Sequence, residues 1–220
     1  MHYLGLALYA EGANDYRFLC PLLLRLCEDV CAQATQRVDI GDVLALSDPS
    51  DEVGAPRAER IAKSAIDASP AWNLLFVHAE ADSDAEAAFR DRVLPGLELV
   101  RDAGIGRVEG IAVVPVRETE AWTLADGDAL RAVLGTTLGD QDLGIGFRGR
   151  ALERVTDPKQ MLNIAFAAAQ PRGRRSRVGV SHLLNALGEQ VALNRLRDLP
   201  SFAKVESELR SALRRMQILA

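Results

Sequence analysis

YLGLALYAEGAND, residues 3–15, joins an apolar run to a turn and then to the start of a helix. Tyr3–Tyr9 has the length and unbroken apolar character of a strand buried in a sheet, and the turn-forming pair Glu11-Gly12 ends it. From Asn14 to Cys31 the apolar residues return at intervals of three and four (Phe18, Leu19, Leu22, Leu23, Leu26, Val30), with Asn14 as the expected N-cap. The same unit recurs along the chain. Strands are expected at Val38–Leu46, at Asn73–Ala79 (NLLFVHA) and at Val108–Val116 (VEGIAVVPV). Helices are expected at Pro56–Ala68 and at Ala85–Ala103, the latter kinked at Pro95-Gly96, then through Trp122 and from Asp128 to Leu134. This alternation predicts an α/β fold with a mostly parallel central sheet flanked by helices. In such sheets the ligand site lies beyond the carboxyl ends of the strands.

Working outward, residues 1–135 form the expected α/β domain and residues 136–149 a Gly-rich loop. Residues 150–220 read as a helical extension packed on the same domain, with helices at Lys159–Ala169, His182–Asn194 and Phe202–Ile218. The charge divides along the same line. Residues 1–149 carry 13 Lys or Arg against 25 Asp or Glu, whereas residues 150–220 carry 13 against 6, so a net charge of -5 joins an acidic part to a basic one. With 48% hydrophobic and 26% charged residues the chain can bury a core, which excludes disordered and fibrous classes.

Cys20, Cys27 and Cys31 fall near one face of one expected helix, which favours reduced core thiols over a metal site, since no CxxC pair or nearby His accompanies them. The expectation is a cytoplasmic protein without a signal peptide or a membrane span. The chain has no GxxxxGK[ST] P-loop, no GxSxG elbow and no zinc-deaminase motif, and the glycines of DLGIGFRG do not follow a strand and open a helix.

Three strands end in carboxylates: Glu11, with Asp15 one turn into the helix; Glu80, Asp82 and Asp84; and Glu118 and Glu120. In a parallel sheet all three groups meet at one edge. Crowded carboxylates repel one another unless a cation sits among them, and oxygen-only ligation suits a hard ion such as Mg2+ or Mn2+. Helix capping is the competing explanation for any single carboxylate, Asp84 and Glu118 in particular. His78 reads either as a strand histidine with one satisfied ring nitrogen or as a ligand. Arg117 either offsets the acidic groups or contacts a phosphate. Arg172, Arg174, Arg175 and Arg177, in QPRGRRSR, form a loop suited to sequence-tolerant contact with a nucleic-acid backbone, against the plainer reading of a solvated charge run.

Taken in order, LALYAEGANDYRFL, LLFVHAEADSD and PVRETEAW resemble the Toprim fold and, more narrowly, the DUF4276 family of small bacterial Toprim-like proteins. That family is related to the nuclease domains of overcoming-lysogenisation-defect enzymes. The resemblance extends to DPKQML and the final helix. It implies Glu11 as metal ligand or general acid/base, and Glu80 with Asp82, or Asp82 with Asp84, as the Mg2+-holding pair, Glu80 standing where the usual motif has Asp. Glu118 and Glu120 match a later acidic pair, and Lys159 matches a lysine that reaches the transition-state phosphate, although a helix-start lysine without a catalytic role fits equally. The implied activity is metal-dependent cleavage of DNA or RNA, in anti-phage defence, with a separate ABC-type ATPase as partner; a homo-oligomer is compatible with it. The alternative is a non-catalytic subunit of the same fold that binds an ATPase or nucleic acid.

Overall fold

The computed structural model describes residues 1–48, 54–82, 84–170 and 179–220. Its centre is a four-stranded sheet of order β2-β1-β3-β4, made of β1 (His2–Tyr9), β2 (Val38–Leu46), β3 (Leu74–His78) and β4 (Glu109–Val113). Every pairing is parallel, with Leu6 opposite Leu74 and Leu74 opposite Glu109. All four carboxyl ends therefore lie on one edge. The chain steps from β1 to β2 on one side and then returns to place β3 on the other, which makes the β1/β3 junction the switch point where such sheets open a crevice.

Alternation along the buried strands separates two cores. Leu4, Leu6, Leu8, Leu74, Phe76, Ile111 and Val113 face one cluster, and Ala7, Tyr9, Leu75, Val77 and Ala112 face the other. Helix α1 (Ala13–Cys31) lies on the first face, packing Phe18, Leu19, Leu22, Leu23 and Leu26. On the second face lie α2 (Arg57–Asp67) and α4 (Leu94–Asp102), with Ile61 and Val100 inward. The three cysteines all fall on α1 and are free, and burial raises Cys20 and Cys31 to about 11, as expected of inert core thiols.

Helix α1 starts two residues earlier than the sequence suggests. Gly12 is the N-cap and Asp15, at the third helical position, accepts the Gly12 N–H at 3.0 Å. Asn14 instead accepts from Arg17. The break expected at Pro95-Gly96 falls just before it. Helix α3 (Ala85–Ala88) runs into a π-turn at Phe89–Val93 and then into α4, whose first turn holds the proline. A wider turn relieves the clash between the Pro95 ring and the carbonyl four residues back.

After β4 come α5 (Glu120–Thr123), α6 (Gly127–Leu134), a 3-10 turn (Gly149–Arg154) and α7 (Pro158–Ala169). The expected helix over His182–Asn194 is divided into a 3-10 turn (Val180–His182), α8 (Leu184–Gln190) and α9 (Leu193–Leu196); α10 (Pro200–Arg215) follows. Their apolar faces (Leu152, Leu162, Leu184, Leu187, Phe202, Leu209, Leu213) enter the same cluster as α1 and the first sheet face. Trp122 of α5 meets Phe202 of α10 edge-on, centroids 5.3 Å apart, and donates its indole N–H to Ser201 at 2.9 Å. Burying each such ring is worth about 2–3 kcal/mol. That packing fixes α5, and with it Glu120, beside the strand ends.

Candidate functional site

Glu11, Gly12, Asn14, Asp15, Glu80, Glu120 and Lys159 line one open cleft of about 410 Å³ at the carboxyl edge of the sheet. Glu11 follows β1, Asp15 projects from the first turn of α1, Glu80 follows β3, and Glu120 opens α5 after β4. Lys159 comes from the start of α7. Carboxylates that follow three strands thus share one cleft at the carboxyl edge of the sheet.

Crowding shows in the acid–base behaviour. Glu80 is pushed up to about 7, first by burial and then by Asp15, Glu120, Glu11 and Glu118. Burial likewise raises Glu120, with Glu118 and Asp15 adding to the shift and its own backbone N–H and Lys159 opposing it.

Beneath the cleft runs a buried chain of hydrogen bonds. Thr119 Oγ1 donates to Asp15 Oδ1 at 2.8 Å and lies 3.0 Å from His78 Nε2. Because the hydroxyl hydrogen goes to the carboxylate, the histidine must supply the other one, so His78 carries its proton on Nε2. Its Nδ1 has no hydrogen-bond partner and stands 3.8 Å from Asp15 Oδ2. His78 is fully buried, and burial lowers its pKa against the pull of Asp15 and Glu11. This is a core histidine with one satisfied nitrogen, and it does not line the cleft.

The remaining expected residues are distributed differently. Asp82 adopts a left-handed backbone (φ 53°) and turns away to Arg92, 3.3 Å distant, with 76% of its side chain exposed. Asp84 caps α3 by accepting the Ala87 N–H at 2.9 Å. Both line a second open cleft of about 400 Å³ with Asp91 and Arg92. Glu118 also caps a helix, though a distant one: it accepts the Lys159 N–H at 3.1 Å at the start of α7. Arg117, left-handed at φ 72°, lines neither cleft. Arg172, Arg174, Arg175 and Arg177 lie outside the described residues.

Two arginines that the sequence does not single out reach the site. Arg57 and Arg92 each place a guanidinium nitrogen 3.5 Å from Glu11 Oε1. Arg57 is also held by the His78 carbonyl at 2.7 Å, by the Arg92 carbonyl at 3.2 Å and by the Tyr9 ring. They lie 46 and 81 positions from Glu11, with no spacing that would connect them. Thr119, which the sequence does not single out either, is buried between Glu118 and Glu120 and reaches Asp15 and His78.

The donor set fits a hard divalent cation by chemistry: carboxylate oxygens alone, with Glu80 raised to about 7 by burial and by the carboxylates around it. Among the described residues no three Asp, Glu, His or Cys side chains are drawn together as a finished coordination shell. Glu11, Glu80 and Glu120 would have to turn inward to make one. Comparison with protein-family models, curated proteins and solved structures gives no match. Among the described residues no helix is long and apolar enough to cross a membrane.

Proposed function

We propose that this protein is a Toprim-like, Mg2+- or Mn2+-dependent nuclease that hydrolyses nucleic-acid phosphodiesters. The observation that carries the reading is the convergence of Glu11, Glu80 and Glu120, from three parallel strand ends, on one open cleft beside Lys159. When bound, divalent ions supply Lewis-acid stabilisation of in-line displacement at phosphorus. The chain's own part is to hold Glu11, Glu80 and Glu120 as ligands, with Asp15 kept in place by Gly12 and Thr119. Lys159 neutralises a non-bridging phosphate oxygen, and the arginines of residues 172–177 follow the backbone of the polyanion. A bacterial anti-phage setting and a separate ABC-type ATPase partner rest on the family resemblance alone.

A second reading, a non-catalytic subunit that binds nucleic acid or an ATPase, is favoured by one feature. Glu11 is already neutralised by Arg57 and Arg92. Incubating plasmid and RNA with the protein and Mg2+ or Mn2+ separates the two. Glu11→Ala and Glu80→Gln are expected to lower cleavage on the order of a hundredfold. Substrates left intact by the wild-type protein with either metal, alone and with an ABC-type ATPase present, would overturn the nuclease.

A further inference from the structure

Arg92 stands between the two acidic clefts. It projects from the π-turn at Phe89–Val93, a wide turn of the kind often found at functional positions. Its two terminal nitrogens go to different carboxylates on different loops, Glu11 at 3.5 Å and Asp82 at 3.3 Å, and 32% of the side chain is exposed. Such contacts are long for charge-assisted bonds, which settle near 2.7–2.9 Å, and they leave the planar fork unused as a fork. Arg57 differs. Two backbone carbonyls and the face of Tyr9 hold it, and its own Nε bond to the Arg92 carbonyl steadies the π-turn from below. One guanidinium is therefore anchored and the other is positioned to move.

We infer that Arg92 is a phosphate-binding side chain of the cleft, held by Glu11 and Asp82 in the ligand-free protein and transferred to a substrate phosphate as Glu11 turns to a divalent cation. The inference rests on the nuclease reading for its substrate class, a nucleic-acid phosphodiester. Charge decides the order of events. Glu11, Asp15, Glu80, Glu118, Glu120 and Asp82 outnumber Arg57, Arg92 and Lys159, so a phosphate meets net repulsion until a cation is present. Once Glu11 has a cation, it no longer needs Arg92, and the freed fork can take two phosphate oxygens side by side. Cation and phosphate must then strengthen each other's binding, because such coupling is reciprocal.

The test uses Mn2+ and a short oligothymidylate as probes, with binding as the readout. Wild type is expected to bind the oligothymidylate much more tightly with Mn2+ than without. Arg92→Ala should weaken the Mn2+-dependent binding on the order of tenfold, the worth of one charge-assisted hydrogen bond. The same variant should reduce the slope of log affinity against log salt by about one and leave the affinity for Mn2+ alone no weaker. Arg92→Lys should fall between, since it keeps the charge and loses the fork. Arg90→Ala is the control from the same turn: among the described residues Arg90 pairs with its neighbour Asp91, it is 66% exposed, and its loss should change nothing. Unfolding midpoints verify that each variant is folded, and Arg92→Lys serves if the alanine variant is not. Equal binding by wild type and the Arg92 variants, or wild-type binding indifferent to Mn2+, overturns the inference. Arg92-dependent binding without cleavage would remove the nuclease and leave this role standing; cleavage with Arg92-independent binding would do the reverse.

Discussion

Glu80 and Asp82 sit two residues apart in one turn after β3, yet their surroundings are opposite. Glu80 is half-buried among four other carboxylates and is pushed up to about 7. Asp82, on a left-handed backbone, faces water and Arg92. The family resemblance implies Glu80 with Asp82, or Asp82 with Asp84, as the metal-holding pair; the turn between Glu80 and Asp82 places them in separate clefts. The difference teaches that charge state at the strand ends is set by what packs beneath and beside each carboxylate.

The largest test of that contrast concerns the buried support of the Glu80 cleft. Thr119→Val keeps the shape and deprives Asp15 and His78 of their shared partner, so it should destabilise the protein by about 2–3 kcal/mol in urea unfolding. A loss below about 0.5 kcal/mol would mean that the bonds under the cleft carry no weight. Asp82 is held instead by Arg92 at the surface.

Next in size is the crowding itself. Glu80 has its folded pKa, about 7, above the ordinary 4.5, so its protonated form is favoured by folding. The cost is absent below pH 4.5, grows as pH rises towards 7, and is complete above that. Glu80→Gln should therefore match wild type in metal-free stability near pH 4.5 and exceed it by roughly 1.5 kcal/mol at pH 8, about half the unscreened value for this partly exposed group. Curves that stay parallel across pH would show that Glu80 is not crowded.

The smallest effect belongs to Asp84. Its role at the start of α3 is a cap, so Asp84→Ala should cost about 0.5–1 kcal/mol in thermal or urea unfolding. Cleavage should stay near the wild-type rate, in contrast with Glu80→Gln. A large loss of cleavage in the Asp84 variant would bring the second cleft into the chemistry and erase the comparison.

Much of the architecture was legible along the chain. The continuous apolar runs at β1 and β3 read as strands covered on both faces, and both are buried along most of their length. The helix ends were less so. Asn14 was the expected cap because its type favours that position, and Gly12 took the place because Asp15 could reach back to it. In the same way Glu118 reads as a cap for the helix beside it and in fact serves α7, 41 positions away.

The sequence by itself determined that carboxylates would gather at one edge, because strand order in a parallel sheet cannot move a strand's carboxyl end to the other side. Which carboxylates share a cleft was decided only in three dimensions. Arg57 and Arg92 reach Glu11 from α2 and the π-turn, Thr119 joins Asp15 to His78, and Asp82 is turned aside. These are contacts between side chains far apart in the chain. Periodicity reports which face of an element is buried, and it carries no information about what meets that face.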